Sequence, residues 1–328
     1  MLLSTKIIIA FFLSLVLVLA SGTKTIGFMR KFQGKGQPIR EDGPKSHLLN
    51  KKGTPTMGGF LILGSTILTT LICANIINPF IIASIVVLVV YGFVGFMDDY
   101  TKVKKQTSNA MTPKMKLLLQ FSTAFIAILY ISYHTPEALR YQLTFPYLKD
   151  LSLNLWYFYI PFAMIVIAGS SNAVNLTDGL DGLASGLLIL SFGCFAAFAY
   201  HSNIPYANEA AILCISVVGS CLGFLWFNKK PAKIFMGDTG SLALGALIGI
   251  ISVILKSEIL LAIIGGVFVA ETISVMIQVA YFKKTGKRFF KMAPIHHHFE
   301  QLGWPETKVV FTFWAIGFVL AVSGLLSI

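Results

Sequence analysis

The chain has 328 residues, of which 55% are hydrophobic and 12% charged, with a formal net charge of +12 and a mean hydropathy of +0.76. Soluble proteins carry roughly 25% charged residues, so this chain has too few charged side chains to cover a water-facing surface. The composition excludes a disordered chain and a conventional soluble enzyme, and it indicates an integral membrane protein.

Uncharged stretches of about 20 residues, the length that a helix needs to cross a bilayer, predict ten spans and an all-α polytopic fold. The first lies between Lys6 and Lys24, and the second and third share the uncharged run 53–97, which the turn around Pro79 divides. The others fall at 117–136, 151–177, 182–208, 210–228, 239–255, 259–282 and 309–328, and of these only 259–282 contains a charge, Glu271. We interpret residues 1–328 as a single transmembrane domain.

The positive charges are concentrated on one side of these spans. Four segments hold 21 of the 26 Lys and Arg residues: 29–53, 98–116, 228–238 and 283–308. Since cytoplasmic loops are enriched in Lys and Arg, these segments and the connection 172–181 are predicted to be cytoplasmic, with both termini facing outward. The net charge is therefore a topology signal and not a nucleic-acid-binding surface. The outer connection 134–155 predicts a small hairpin or an interfacial helix.

Two adjacent acids, Asp98 and Asp99, directly follow the third predicted span. The macrodipole of a helix disfavours anions at its C-terminus, and ionisable groups at membrane level are costly and usually functional. The alternative is a solvated helix end beside Lys102, Lys104 and Lys105. Two carboxylates at an unfavourable helix end favour a functional role over that alternative.

Two further acidic motifs fall on the same side of the membrane. Asn175, Asp178 and Asp181 recur every third residue and would form one polar stripe on a helix, with a capped turn between two spans as the alternative. Asp238 opens the eighth span, where free backbone N–H groups suit an anionic ligand. Taken by itself, Asp238 is better explained as a helix cap.

Three consecutive histidines, His296, His297 and His298, follow the ninth span. Consecutive residues cannot all point the same way on a helix, so a three-histidine metal site is not expected, and imidazole suits zinc better than magnesium. Phosphate binding or acid–base chemistry fits these side chains better. The lysine- and glycine-rich segment 51–59 opens the second span, with Pro55 suited to the first helical turn.

Together these motifs place carboxylates, lysines, helix N-termini and histidines on one face of the membrane. Magnesium prefers oxygen ligands and usually shares them with substrate phosphates, and phosphoryl transfer depends mainly on positioning and charge neutralisation. The sequence has no Walker-type loop, which argues against ATP hydrolysis. The residues alone predict a magnesium-dependent enzyme that acts on a phosphate substrate at the inner membrane surface, without identifying that substrate.

Five motifs occur in order along nearly the whole chain: GTPTMGG at 53–59, FMDDY at 96–100, NLTDGLDGLA at 175–184, FMGDTGSLALG at 235–245 and PIHHHFE at 294–300. In this combination the chain resembles the phospho-N-acetylmuramoyl-pentapeptide transferases, which belong to the polyprenyl-phosphate N-acetylhexosamine-1-phosphate transferases. The resemblance implies ten transmembrane helices in the bacterial inner membrane, a cytoplasmic active site and a role in peptidoglycan synthesis. It implies transfer of phospho-MurNAc-pentapeptide from UDP-MurNAc-pentapeptide to undecaprenyl phosphate, giving lipid I and UMP.

The resemblance also implies roles for individual residues. Asp238 corresponds to the family's Mg²⁺-binding aspartate, and Asp98 and Asp99 correspond to its adjacent acids, which are further candidate metal ligands. The histidine motif carries an essential role that the match does not assign to one of its three members. The implied nucleoside pocket and the other candidate substrate-binding residues are Lys51, Thr56, Asn175, Asp178, Asp181, Asn228, Phe235 and Gly237, with Phe235 stacking on uracil.

Two mechanisms are compatible with this family. In one, Asp98 or Asp99 attacks the donor to form a covalent phospho-enzyme; in the other, the lipid phosphate attacks directly and Asp98 assists its deprotonation. We favour direct attack, because a phosphomonoester has a second pKa near 6 and needs little help to ionise.

Two alternative functions stay open at this stage. The nearer one is a related transferase that uses UDP-GlcNAc, although the triple histidine of PIHHHFE favours the muramoyl-pentapeptide substrate. A secondary transporter would also have ten spans and intramembrane acids. The sequence does not determine the oligomeric state, and a homodimer is compatible with it.

Overall fold

The computed structural model describes residues 2–34, 36, 51, 53–107, 110–204 and 206–327. Most of the predicted loop 29–53, including residues 37–50, therefore lies outside the described residues. Twelve α-helices and one hairpin are present in the described part. They are α1 (Leu3–Gln33), α2 (Gly59–Cys73), α3 (Pro79–Lys105), α4 (Pro113–His134), β1 (Gln142–Phe145), β2 (Leu148–Asn154), α5 (Tyr159–Thr177), α6 (Leu183–His201), α7 (Ala207–Asn228), α8 (Gly237–Ile254), α9 (Glu258–Ile264), α10 (Gly266–Thr285), α11 (Ile295–Gln301) and α12 (Glu306–Leu325).

The helices confirm an all-α polytopic membrane protein. Within the described residues, nine helices are long and apolar enough to cross a bilayer, and α2 is a shorter apolar helix of 15 residues. A helix of that length reaches about 22 Å, less than the hydrocarbon thickness of about 30 Å. The predicted count of ten includes this segment, and both that count and the outward orientation of the termini stay predictions.

Helix α8 lies at the centre of the bundle, packed against α3 and α5. Apart from Asp238, every residue of α8 is buried. Glycines make this close packing possible, since a Cβ at Gly245 would lie 2.5 Å from the carbonyl oxygen of Ser170 on α5. On the other side, a Cβ at Gly95 of α3 would lie 2.1 Å from the carbonyl oxygen of Asp238. The start of α8 is therefore held between two helices by direct backbone contact.

Helix α3 continues beyond the apolar residues that predicted it. Asp98 and Asp99 were expected to follow the span at a helix C-terminus, and this expectation is wrong, because α3 ends only at Lys105. Three lysines occupy its last turn, where cations interact favourably with the macrodipole, and Gln106 closes it in the left-handed conformation. The two acids are buried within the helix and face its neighbours.

The outer connection 134–155 forms the hairpin that was one of its two predicted alternatives. Strands β1 and β2 pair antiparallel, with Gln142 opposite Asn154 and an irregularity after Thr144. The hairpin rests on the end of the bundle that is predicted to face outward, where the Thr144 hydroxyl donates to the carbonyl oxygen of Lys256. It lies at the opposite ends of the helices from the predicted cytoplasmic motifs.

Candidate active site

The glycine-rich segment before α2 packs directly on the segment before α8. Backbone N–H groups of Gly58 and Gly59 donate to the carbonyl oxygens of Phe235 and Met236, at 2.8 and 2.9 Å, and Phe235 N–H donates to Pro55 at 2.8 Å. These bonds hold the segment 55–59 against residues 235–236. The prediction that Pro55 lies in the first helical turn is therefore wrong, since α2 begins at Gly59.

A buried glutamine at the end of α1 fixes the same segment. The Gln33 amide donates to the carbonyl oxygen of Thr56 and accepts from its N–H, each at 2.9 Å. The Thr56 side chain thereby faces Gly237, where a Cβ would lie 2.4 Å from Thr56 Oγ1. Gly237 itself has a φ of 71°, which favours glycine. Thr56 and Gly237, both predicted to bind substrate, therefore pack directly against each other.

Asp99 connects α3 to the first turn of α8. Its carboxylate accepts from the N–H of Asp238 at 3.2 Å, from the N–H of Thr239 at 2.9 Å and from the Thr239 hydroxyl at 2.7 Å. An anion beside the N–H groups of a helix N-terminus is stabilised by the macrodipole. Asp99 is fully buried, so its position suits a cap on α8 better than contact with a substrate.

Asp98 and Asp238 face each other across two lysines. Lys102 Nζ lies 2.6 Å from Asp98 Oδ2 and 3.2 Å from Asp238 Oδ2, while Lys116 Nζ lies 3.2 and 2.8 Å from the same two atoms. We refer to these four residues as the carboxylate–lysine cluster. Its members come from α3, α4 and α8, so three helices place two carboxylates around one cationic centre.

Asn175 contacts the carboxylate–lysine cluster and does not form a stripe with Asp178 and Asp181. Its amide donates to Asp238 Oδ1 at 2.9 Å and to Ser241 Oγ at 2.8 Å. The predicted stripe is wrong, because α5 ends at Thr177 and the two acids lie in the following turn. The turn that was the alternative interpretation is the observed structure.

The donor set fits a magnesium ion that is shared with a substrate. Within the described residues, no group of three or more His, Cys, Asp or Glu side chains is arranged to hold a metal ion. Lys102 binds Asp98 and Lys116 binds Asp238, so positive charge already lies between the two carboxylates. Magnesium is commonly bound by one or two carboxylates together with substrate phosphates, and lysines suit the remaining phosphate oxygens. These residues could therefore hold Mg²⁺ together with a diphosphate.

A second charged group lines a pocket beside Phe235. Lys51 Nζ lies 2.8 Å from both Asp181 Oδ1 and Glu306 Oε1, and 5.9 Å from the centre of the Phe235 ring. Burial lowers the pKa of the Lys51 ammonium, but the charges of Asp181 and Glu306 outweigh it and raise the pKa above its ordinary value. Lys51 therefore stays protonated. The pocket is lined by Lys51, Thr54, Asp181, Lys230, Pro231, Ala232, Phe235 and Glu306.

The pocket is closed in this structure. Its volume of about 30 Å³ is far below the roughly 300–1,000 Å³ of pockets that enclose small molecules. A nucleotide must therefore displace side chains to enter. Lys230 is the most exposed of the charged groups, with 39% of its side chain accessible against 11% for Lys51.

Asp178 and Asn228 occupy different positions around this pocket. Burial, together with the charges of Asp238 and Asp99, raises the pKa of Asp178 well above its ordinary value. Asn228 accepts from the N–H of Gly182 at 3.1 Å and donates to the carbonyl oxygen of Ile234 at 3.0 Å. Asn228 thus joins the acidic turn to the Phe235 segment.

His296 and His297 lie side by side on the short helix α11, with ring centres 4.1 Å apart and both Nε2 atoms near Gly179, whereas His298 turns towards Lys291. His296 is fully buried, with Nδ1 3.0 Å from Glu271 Oε1. His297 Nδ1 lies 2.7 Å from Glu300 Oε2, and His298 Nδ1 accepts from a backbone N–H on the other side. The geometry therefore excludes a metal site made of all three.

His296 and His297 both face the acidic turn, and His296 makes the closer approach. A Cβ at Gly179 would lie 2.4 Å from His296 Nε2 and 3.3 Å from His297 Nε2. The carbonyl oxygen of Gly179 also lies 3.5 Å from Lys51 Nζ. Gly179 thus connects the histidine motif to the Lys51 pocket, and only a residue without a side chain permits this approach.

Four polar residues of the site escape prediction from sequence. Lys102 and Lys116 were interpreted as topology signals, although they bridge the two carboxylates. Gln33 and Glu306 lie in the predicted cytoplasmic segments 29–53 and 283–308, where a polar residue is ordinary. These four residues differ from ordinary polar residues because the folded protein largely encloses them. This enclosure depends on tertiary contacts, which the sequence does not show.

Comparison with known proteins gives a consistent result. A family model described as Glycosyl transferase family 4 matches residues 81–256. A phospho-N-acetylmuramoyl-pentapeptide-transferase of Rickettsia montanensis is 51% identical over 333 residues, covering 98% of this chain and 92% of the relative. Proteins with the same name from Rickettsia canadensis (strain McKiel) and Rickettsia felis are 50% and 51% identical with the same coverage.

Proposed function

Since this chain belongs to the phospho-N-acetylmuramoyl-pentapeptide-transferase family, and is therefore a transferase, we propose that it transfers phospho-MurNAc-pentapeptide from UDP-MurNAc-pentapeptide to undecaprenyl phosphate. The products are lipid I and UMP. The chain is a multi-pass bacterial membrane protein, and we place it in the inner membrane with the site facing the cytoplasm, because the Lys- and Arg-rich segments lie on the side of the site.

One observation supports this proposal most strongly. Phe235 lines the Lys51 pocket, and Asp238, three residues later, belongs to the carboxylate–lysine cluster. A nucleotide whose base stacks on Phe235 would therefore direct its diphosphate towards Asp238, Lys102 and Lys116. Aromatic side chains bind bases through their faces, and lysines with carboxylate-bound magnesium neutralise phosphates. A UDP-linked donor has both parts at this spacing.

We propose that Asp238 holds Mg²⁺ together with the donor diphosphate, while Asp98 is kept for the acceptor. When bound, the ion neutralises negative charge on the phosphates. Lys102 and Lys116 are positioned to bind the other phosphate oxygens, and Asn175 holds Asp238 in place through its amide. Asp99 fixes the backbone of the same residue from the opposite side.

The transfer proceeds by direct attack of the lipid phosphate. A non-bridging oxygen of undecaprenyl phosphate forms a new bond to the phosphorus that carries MurNAc. The bond between that phosphorus and the bridging oxygen breaks, and UMP leaves with the oxygen and its electron pair. The acceptor is largely dianionic at neutral pH because its second pKa is near 6. Asp98 orients the acceptor and takes up its remaining proton.

Exchange chemistry distinguishes direct attack from a covalent phospho-enzyme. Under direct attack, labelled UMP does not exchange into the donor when undecaprenyl phosphate is rigorously removed. Lipid-free exchange, or an acyl phosphate on Asp98 or Asp99 seen by mass spectrometry after incubation with donor alone, would contradict this mechanism. Asp98→Asn and Asp99→Asn then identify which carboxylate is modified.

A donor panel tests the substrate. Purified protein in detergent should release UMP from UDP-MurNAc-pentapeptide in the presence of Mg²⁺ and undecaprenyl phosphate, without any ion gradient. Preference for UDP-GlcNAc would support the related transferase instead. A transporter should place its polar residues near the bilayer midplane, whereas Asp238 lies at the start of α8 and Asp98 two turns from the end of α3.

A further inference from the structure

Glu306 is a buried carboxylate at the start of a membrane helix. It lies in the first turn of α12 and only 6% of it is exposed. A carboxylate in the first turn of a helix interacts favourably with the macrodipole, which would account for an exposed residue there. It does not account for burial, because buried charges are retained only where partners compensate them.

Each oxygen of Glu306 binds a different lysine. Oε1 lies 2.8 Å from Lys51 Nζ and also accepts from the backbone N–H of Asp181 at 2.8 Å. Oε2 lies 2.7 Å from Lys230 Nζ. Lys51 precedes α2, Asp181 precedes α6 and Lys230 follows α7, so one carboxylate joins three segments that are distant in sequence.

The two lysines differ in how they can respond to a ligand. Lys51 is also bound by Asp181 at 2.8 Å and is largely enclosed. The side chain of Lys230 is 39% exposed at the mouth of the pocket. An arriving anion therefore meets Lys230 first, and rotation of this side chain opens the closed pocket while Lys51 stays in place.

We infer that Glu306 is a positioning residue of the donor pocket. It holds Lys51 beside Phe235 and the Asp181 turn, and it keeps Lys230 at the mouth of the pocket as the first cation that the anionic donor meets. The inference rests on the proposed function, because it takes the ligand of this pocket to be a uridine nucleotide. Glu306 acts through the lysines and does not contact the reacting atoms.

The experiment compares Glu306→Gln with a matched control in the full-length protein. Glu209 also lies in the first turn of a membrane helix, α7, and accepts a backbone N–H from Asn75 at 2.8 Å on the outer side. Glu209→Gln removes the same charge from the same kind of helix position. The measurements are the Kd of UMP by calorimetry, the KM and kcat for the donor, and the midpoint of thermal unfolding.

Glu306→Gln should weaken UMP binding and raise the donor KM by about tenfold or more, since hydrogen bonds to charged groups are lost, with a smaller change in kcat. Glu306→Asp should recover part of the affinity. Glu209→Gln should leave both constants unchanged. In a double-mutant cycle, Lys230→Met should weaken binding much less in the Glu306→Gln background than in the unmodified protein.

The inference is overturned if Glu306→Gln binds UMP like the unmodified protein, or if the cycle shows no coupling between Glu306 and Lys230. Should Glu306→Gln fail to fold, Glu306→Asp and Lys230→Met decide the matter through the donor KM. A different result bears on the proposed function itself: an unmodified protein that does not bind UMP would refute the uridine donor before any variant is compared.

Discussion

Replacing Gly95 by alanine should separate Asp238 from the rest of the carboxylate–lysine cluster. The added Cβ would lie 2.1 Å from the carbonyl oxygen and 2.4 Å from the carbonyl carbon of Asp238, although real Cβ contacts are essentially never shorter than 3.0 Å. Both are backbone atoms and cannot rotate away. Helices α3 and α8 must therefore move apart by at least about 0.9 Å at the point where Asp98 faces Asp238.

This displacement predicts a large loss of activity and a smaller loss of stability. A misplacement of about 1 Å can cost about 100-fold in rate, so we expect kcat for UMP release to fall by about that factor. Overpacking destabilises the folded protein by about 1–3 kcal/mol, whereas the higher helix propensity of alanine stabilises it by about 1 kcal/mol. The folded protein should therefore survive with a modestly lower unfolding midpoint.

Two glycine-to-alanine controls isolate the effect of the backbone contact. Gly92 lies one turn earlier on α3, and its Cβ would meet the flexible end of Leu63 at 2.8 Å. Gly64 on α2 has nothing within 4 Å. We expect Gly64→Ala to be unchanged or slightly more stable and Gly92→Ala to lose little activity. A Gly95→Ala protein that retains activity within about threefold would refute the reasoning, since that contact would then be relieved without moving Asp238.

Three further substitutions test other parts of the site. Asp238→Asn should abolish turnover at ordinary Mg²⁺ concentrations, because an amide does not balance the charge of the ion; near-normal activity would remove Asp238 from the metal site. Phe235→Ala should raise the donor KM about tenfold, since base stacking contributes roughly 1–3 kcal/mol, and an unchanged KM would place the base elsewhere. Glu271→Gln should lower kcat, because Glu271 holds His296 against the acidic turn, whereas Ser274→Ala on the same helix should leave kcat unchanged.

The membrane-spanning helices can be predicted from the sequence because the hydropathy of a segment determines whether it crosses the bilayer. Apolar runs long enough to cross the bilayer predict most helices of the bundle, and α8 is apolar in every direction, as a central helix must be. The ends of the helices do not follow from the same signal. Helix α3 extends through Lys105 in a charged stretch, because a helix that leaves the membrane no longer needs apolar side chains.

The sequence predicts the motifs that form the site, but not the contacts between residues that are distant in sequence. Carboxylates at a membrane surface and glycines before a helix are recognisable in sequence, since both are costly or unusual there. Lys116 and Glu306 are ordinary residues at the ends of spans, and their roles arise from partners more than 100 residues away. A single sequence contains no periodicity that reports such contacts.

The hydrogen bonds of Asp99 bear on the choice between the two chemical mechanisms. To attack phosphorus, a carboxylate oxygen must give up the donors that it binds, and Asp99 binds three of them at the start of α8. Hydrogen bonds to charged groups contribute about 1.5–3 kcal/mol each, so loss of the one at Oδ1 or the two at Oδ2 would add about 1.5–6 kcal/mol to the barrier and would loosen the start of α8. Both lysines that bind Asp98 contact its Oδ2, so a diphosphate that recruits them frees this oxygen without disturbing α8, while Oδ1 keeps the N–H of Met111. These contacts support the proposed roles, in which Asp99 holds the helix that carries Asp238, Asp98 serves the acceptor phosphate, and that phosphate supplies the nucleophile.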